Sequence, residues 1–510
     1  MRDVDDNSQG SQPKSIPVSN PNHTLWQNTL QLLIGSGAAQ ILRAILAPII
    51  ARLYPPAAQG IAQNYSAIGK TAAVLATLRY EDSIQLPDRE REAFRQMAAA
   101  IISTILNSLL SLVLIITLRE SIARLLNAPQ LSNLLLTIPL YIFLRGTFLA
   151  LREWHIRKMQ YRRTSAAAAI ESALWDMGTV GLGAAGYNGS ASITGSQLLG
   201  QGAATAWLAY PMFKKKSEYK LSLREIIQGM REYRKFPQFN IWSKLLDNTA
   251  LYLPVWLFSA FFSPAVAGQF SLGFNLLQLP FSMAANAIGQ VLYQQASQAK
   301  RHNILDQNIT SLISTAIKLV LPVIVLFVLS GYEIFTIIFG RSWAQAGEFV
   351  QILSPWMLFI LLSLVIERIP AVFGKNENIL IFQAVNNIAR IVALALGAVQ
   401  KDPMLSVILL SVGGCLVYGG NLLWTLQLSG MSVGKTIRVM LNAARPGIPF
   451  ALFMIIFERY FRMAGITRPI LLILLELVIC LIYYLYLLWK DAEVKEIFAS
   501  IRIMLLKKQS

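Results

Sequence analysis

Eight basic residues lie in stretches that are otherwise apolar: Arg43, Lys70, Arg145, Lys244, Lys318, Arg368, Arg390 and Arg445. A cation among aliphatic side chains has two uses. It can pair with a buried acid as a strut, or hold a negatively charged ligand through charge-assisted hydrogen bonds. Acids in the same stretches are fewer: Glu171, Asp176, Asp247, Glu367 and Glu476. Asp247 is spaced to pair with Lys244, and Glu367 adjoins Arg368, so a surplus of cations remains. Residues three and four apart share a helix face. That spacing joins Ser36, Gln40 and Arg43; Gln59, Gln63, Ser66 and Lys70; Ser172, Asp176 and Thr179, with Glu171 beside them; and Asn240, Lys244 and Asp247. It also joins Ser271, Asn275, Gln278, Ser282 and Asn286, and Gln383, Asn387 and Arg390. The expected site is a wet, cationic cavity for an anion, with Arg43, Lys70, Arg145, Lys318 and Arg390 as ligands. Gln40, Gln63, Asn240, Asn275, Gln278, Gln383 and Asn387 would give it a polar lining. Glu171, Asp176 and Glu476 are the candidates for ion coupling, or for pairing with a cation.

These residues must be positioned by membrane helices. The chain has 510 residues, 55% hydrophobic and 14% charged, with net charge +18. A soluble domain has about 25% charged residues. Runs such as "AAAIISTILNSLLSLVLIITL" and "PILLILLELVICLIYYLYLLW" suffice to cross a bilayer as helices. A membrane β-barrel would show alternating segments of about 10 residues instead. The expected fold is therefore an all-α polytopic protein with fourteen spans. Their limits are 29–52, 58–78, 97–117, 131–152, 164–186, 191–212, 239–262, 266–290, 306–329, 347–371, 378–399, 404–427, 439–457 and 468–489. "NAARPGIP" interrupts the thirteenth. A charge at a helix centre costs roughly 2.5–3.5 kcal/mol on insertion scales. The deep cations should therefore face inward; Lys244 and Arg368, near inner ends, can snorkel.

With the N-terminus placed inside, inner loops carry 22 Lys and Arg and outer loops 8. This asymmetry predicts both termini cytoplasmic and accounts for most of the net charge. It also draws the protein to anionic inner-leaflet lipid. Nucleic acid is not an expected partner, because the basic residues are spread over separate loops. Residues 1–26 read as a disordered cytoplasmic tail rather than a signal peptide. Residues 27–212 would form one six-helix lobe and 239–428 a second. Residues 213–238 would link them, 429–490 would add two helices, and 491–510 would be a basic tail. Within the linker, Leu221, Ile226, Ile227 and Met230 suit a short interfacial helix. "PPAAQG" (55–60) and "SPAVAG" (263–268) recur 208 residues apart, one six-span unit, as in transporters built from parallel repeats.

Several chemistries are disfavoured. "NYSAIGKT" has Asn64 where a phosphate-binding loop needs glycine, and "GMSVGKT" sets its glycines too close, so no nucleotide is expected. His23, His155 and His302 form no zinc or catalytic spacing, and Cys415 and Cys480 read as packing residues. No metal or other cofactor is expected. Outer loops of at most about 15 residues leave little room for the catalytic domain of a glycosyltransferase or ligase. The sequon "NGS" (188–190) carries little weight.

"LAPIIARLYPPAAQG" (46–60), "LRYEDSIQLP" (78–87), the long block 233–299 beginning "YRKFPQFNIWSKLLDNTALYLPVWLF", and "FGRSWAQAGEFVQILSPW" (339–356) together carry a family likeness. The chain resembles the Wzx-like O-antigen and exopolysaccharide translocases of the multidrug/oligosaccharidyl-lipid/polysaccharide exporter superfamily. The resemblance implies two six-helix lobes in a V around a central cavity, with two further helices. It implies a flippase of the bacterial inner membrane, not an enzyme. The substrate would be an oligosaccharide linked by pyrophosphate to a polyprenol, moved to the periplasmic leaflet by alternating access coupled to an ion gradient. Partners would be that lipid-linked oligosaccharide, membrane lipids and other polysaccharide-assembly proteins. The cations would neutralise the pyrophosphate, and the Asn, Gln and Ser stripes would hydrogen-bond sugar hydroxyls. The rivals are a peptidoglycan-precursor flippase and a cation-coupled multidrug exporter of the same superfamily. The exporter predicts an acidic, aromatic cavity; the "RLYPP" and "LRYE" blocks favour the polysaccharide branch over the peptidoglycan one.

Overall fold

The computed structural model describes residues 42–214, 221–279, 305–366, 369–372, 375–463, 469–491 and 494–495, with Gln40 and Phe281. The predicted N-terminal tail, the C-terminal tail apart from Asp491, Val494 and Lys495, and Ser36, Ser282, Asn286, Glu367 and Arg368 lie outside the described residues. Among the described residues the chain is helical, with no strand.

The chain enters through α1 (42–53) and turns at Tyr54 and Pro55 into α2 (Pro56–Ala76), where Pro56 occupies the first helical position. A 3-10 turn (Tyr80–Gln85) leads to α3 (Glu90–Leu125), opened by Glu90 and Glu92 in its first turn. Then follow the short α4 (Leu131–Leu135), α5 (Ile138–Arg157), α6 (Tyr161–Ala184) and α7 (Ser190–Lys214). The linker helix α8 (Leu223–Glu232) and a π turn (Phe236–Asn240) precede α9 (Ile241–Phe261), α10 (264–279) and α11 (Leu305–Ile338). The remainder is α12 (Ala344–Ile366), α13 (Ile369–Val372), α14 (Asn376–Val399), α15 (Pro403–Leu428), α16 (Val433–Ala444), α17 (Gly447–Met463) and α18 (Pro469–Lys490).

A helix or part of one overlies each of the fourteen expected spans. Among the described residues six helices are long and apolar enough to cross a membrane by length and composition alone. The pair α16 and α17, bent by 50°, raises that to seven. The bend falls in the interrupting "NAARPGIP", with Arg445 exposed at the break. α2, α5, α6, α7 and α9 fall short of the test, and these helices carry the polar residues of the site described below. α3 extends well beyond its expected limits. Its 36 residues span about 54 Å, against a hydrocarbon core of about 30 Å.

α3 packs on α5, α6 on α7, α11 on α12 and α14 on α15, while α9 lies between α2 and α14. α16, α17 and α18 pack on α11. The first lobe has a core rich in alanine (Ala93, Ala99, Ala100, Ala150, Ala167, Ala204), which lets helix backbones approach. The second is filled by large rings, including Phe258 and Phe270 with centroids 4.6 Å apart.

The repeated segments "PPAAQG" and "SPAVAG" pack against each other. A Cβ on Gly60 would fall 1.7 Å from the Pro264 carbonyl oxygen, and one on Gly268 would fall 2.2 Å from that of Pro56. Only glycine allows this reciprocal contact. Around it Asn64 Nδ2 donates to Ser259 Oγ at 2.7 Å and Asn127 Nδ2 to the Ala260 carbonyl at 2.7 Å. Trp343 Nε1 donates to the Ala51 carbonyl at 2.7 Å, and Arg52 to the carbonyls of Ile337 and Ile338. The two lobes are thus joined at the end where α1, α3, α9 and α11 terminate.

Candidate functional site

Three of the five expected cations come together inside the first lobe. α1 supplies Arg43, α2 supplies Lys70 and α5 supplies Arg145. Lys70 shares a face of α2 with Gln63 and Ser66, and Arg43 follows Gln40 at helical spacing, whereas Arg145 is flanked on its face by Tyr141, Ile142, Phe148 and Leu149. α6 supplies both acids. Arg43 Nε lies 3.4 Å from Asp176 Oδ1, and its guanidinium stands 4.3 Å from the Trp175 ring centroid. Asp176 is buried and accepts from Ser172 Oγ at 3.0 Å. Arg145 Nη1 lies 3.5 Å from Glu171 Oε1 and donates to Gln201 Oε1 at 3.2 Å.

Lys70 sits between these pairs. Its charged neighbours are Arg43, Arg145 and Glu171. Its Nζ lies 5.7 Å from the Trp175 centroid and 5.9 Å from that of Tyr252 on α9. Among the described residues Lys70 makes no ion pair within 4 Å. Among the described residues three cations stand against two carboxylates, an excess of one positive charge, and Lys70 is the cation in contact with ring faces and not with an acid. Cation–π contact is weaker than a desolvated ion pair, so an arriving anion displaces least at Lys70.

Lys318 and Arg390 do not join the cluster. Lys318 Nζ pairs with Asp491, just past the end of α18, at 2.6 Å. It is therefore near an end of the bundle, where a long α11 places a residue that sequence spacing puts deep. Arg390 is buried, donates to the Ala250 carbonyl and, at 3.4 Å, to Tyr418 Oη, and lies 5.6 Å from the Trp356 ring. Those contacts tie α14 to α9, α12 and α15. Glu476 is buried and accepts from Ser330 Oγ at 2.5 Å. It lies on the side of α11 that carries α17 and α18. Lys244 pairs with Asp247 at 3.7 Å, as their spacing implies.

The polar candidates divide similarly. Gln40, Asn240 and Asn275 are exposed; Gln63, Gln278, Gln383 and Asn387 are half-buried, with Asn387 Nδ2 donating to the Gln383 carbonyl at 2.9 Å. The residues that sequence reasoning missed are Trp175, Tyr252 and the polar face of α7. Gln197 and Gln201, both buried, receive Ser66 Oγ at 2.7 Å and Arg145. Their four-residue spacing, continued by Thr194 and Thr205, was available as a signal. The approach of Tyr252 from another lobe was not.

The sequence profile of a family described as "Polysaccharide biosynthesis protein" matches residues 49–348. Among solved structures the fold is similar to one titled "Lipid II flippase MurJ, inward closed conformation". The TM-score is 0.69 at 14% identity, covering 90% of this chain and 100% of the other. It is also similar to an inward-facing multidrug-resistance MATE family transporter of the MOP superfamily. There the TM-score is 0.61 at 13% identity, covering 77% of this chain and 95% of the other. No curated protein matches the chain by sequence. A polytopic helical fold shared with flippases and transporters, and a family match over more than half its length, place this chain in the polysaccharide biosynthesis protein family.

Proposed function

We propose that this membrane protein flips a polyprenyl-pyrophosphate-linked oligosaccharide, the repeat unit of an O-antigen, capsule or exopolysaccharide. It moves the lipid from the cytoplasmic to the periplasmic leaflet of the bacterial inner membrane by alternating access, with both termini cytoplasmic. The observation that carries this reading is the Arg43, Lys70 and Arg145 cluster with its single uncompensated positive charge. A pyrophosphate is costly to carry across hydrocarbon unpaired. Lys70 offers it a point charge, and the two arginines offer planar forks suited to phosphate oxygens. Asp176 and Glu171 hold those forks in place until the substrate competes for them. This exchange is where ion coupling enters, since a carboxylate that loses its guanidinium gains affinity for a proton or a metal cation.

The test is flipping of a fluorescent polyprenyl-pyrophosphate oligosaccharide in proteoliposomes. Lys70→Gln and Arg145→Gln should each reduce the initial rate at least tenfold with normal expression and thermal stability. Wild-type rates in both would overturn the proposal. The same cluster suits a peptidoglycan precursor, so lipid II is the competing substrate in the same vesicles. Faster flipping of lipid II would move the assignment to the peptidoglycan branch.

A further inference from the structure

The linker helix α8 has two faces with different chemistry. One is committed to the first lobe. Arg91 Nη2 donates to Glu225 Oε1 at 2.7 Å, and Arg95 Nη2 to Glu232 Oε2 at 2.5 Å. Tyr80 Oη donates to the Met230 carbonyl, Gln96 Nε2 to that of Gly229, and Ile226 is buried in the lobe's core. The helix start is self-contained. Ser222 Oγ accepts from the Glu225 amide while Glu225 accepts from the Ser222 amide, a reciprocal cap. Those hydrogen bonds hold the Glu225 carboxyl below its usual range.

Both acids of α8 are thus used inward. The outward face carries Leu223 and Ile227, 64% and 43% exposed, with exposed Arg224 and Arg231, and exposed Lys235 follows three residues past the helix end. None of these three cations makes an ion pair among the described residues.

α3 locates this face relative to the bilayer. Its apolar run begins near Met97, and α8 is anchored at Arg91 and Arg95. At 1.5 Å per residue that is about 3 to 9 Å outside the hydrocarbon, in the headgroup layer. Eighteen residues make about five full helical turns. Arg91 therefore lies under Leu109, and Arg95 under Val113, which are 57% and 62% exposed with Leu106 and Leu110 beside them. That exposed apolar side of a membrane helix faces lipid, so α8 lies beneath the lipid-facing side of α3 rather than beneath the bundle axis.

We propose that α8 is a membrane-surface helix whose outer face binds anionic phospholipid headgroups. Leu223 and Ile227 sit at the acyl boundary, while Arg224, Arg231 and Lys235 engage phosphate oxygens. A basic residue at an anionic surface contributes about fivefold in affinity, so the three together contribute roughly a hundredfold. The proposal does not depend on which leaflet is cytoplasmic or on which substrate is moved.

The experiment uses the purified full-length chain in vesicles of phosphatidylcholine, with or without phosphatidylglycerol. Phosphatidylglycerol should raise the thermal midpoint of the wild type. It should leave that of the Arg224→Gln, Arg231→Gln, Lys235→Gln triple variant unchanged, and the wild-type response should fade at high salt. In parallel, Ile227→Cys carrying a fluorophore should be quenched by lipids spin-labelled near the headgroup; the parent chain, labelled identically, corrects for Cys415. Two results overturn the proposal. One is a triple variant that keeps the full response to phosphatidylglycerol. The other is a label quenched by aqueous iodide but not by lipid, which would leave the face open to a soluble partner.

Discussion

Lys70 differs from its neighbours in what it rests against. Arg43 and Arg145 lean on Asp176 and Glu171, whereas Lys70 leans on aromatic rings. Removing an acid should therefore have the opposite effect on binding to removing the lysine. Asp176→Asn keeps an acceptor for Ser172 but adds one net positive charge to the cluster. The expected outcome is tighter binding of polyprenyl pyrophosphate, severalfold by equilibrium titration, with slower turnover in the flipping assay because release is retarded. Weaker binding in that variant would count against an electrostatic site. Glu476 differs again, since its contact with Ser330 joins α18 to α11. Glu476→Gln preserves an acceptor and should flip at the wild-type rate. Glu476→Ala strands a buried hydroxyl and opens a cavity, a loss of about 2–3 kcal/mol. Thermal unfolding in detergent reads that loss. A folded but inactive Glu476→Gln would instead assign proton coupling to this carboxyl.

At the scale of elements, the junction of α2 and α10 is the feature most sensitive to a single methyl group. Gly60→Ala places a carbon 1.7 Å from a backbone oxygen that no rotamer can move away. The helices must part by more than an ångström, and close-packed interiors do not absorb that without loss. The expected outcome is a reduced flipping rate and a lower thermal midpoint. Gly413→Ala in α15 is the matched control: a Cβ there meets nothing within 4 Å, and alanine is the better helix former, so stability should hold or rise slightly. A second lesson comes from α8. Sequence spacing pointed to an interfacial segment, but Ile226 faces the lobe and Leu223 and Ile227 face out. A short amphipathic helix with two partners shows a single moment in sequence; the partners themselves must be placed to divide its apolar residues between them.

For the whole molecule, the distribution of Lys and Arg predicts the topology. If the Lys and Arg bias sets the orientation, Asn188→Cys in an outer loop should react with an impermeant maleimide in intact cells. Ser222→Cys in the linker should be protected until the membrane is opened. Reversed labelling would place the lobes' junction on the cytoplasmic side and invert the direction of transport proposed here.

Much of this was legible in the sequence because it depends on local rules. Apolar runs of about 20 residues specify membrane helices. The family blocks specify the architecture, and four-residue spacing put Arg43, Lys70 and Asp176 on polar faces. The tertiary structure decided which polar faces meet. Lys318 and Arg390 carry the same sequence signal as Lys70, but their helices take them to Asp491 and to the Ala250 carbonyl. Trp175 and Tyr252 carried no special signal, yet they flank Lys70. Periodicity fixes the angle of a side chain about its own helix. Whether a charge is then neutralised, and by which group, depends on the rotation and depth of neighbouring helices, which only packing sets.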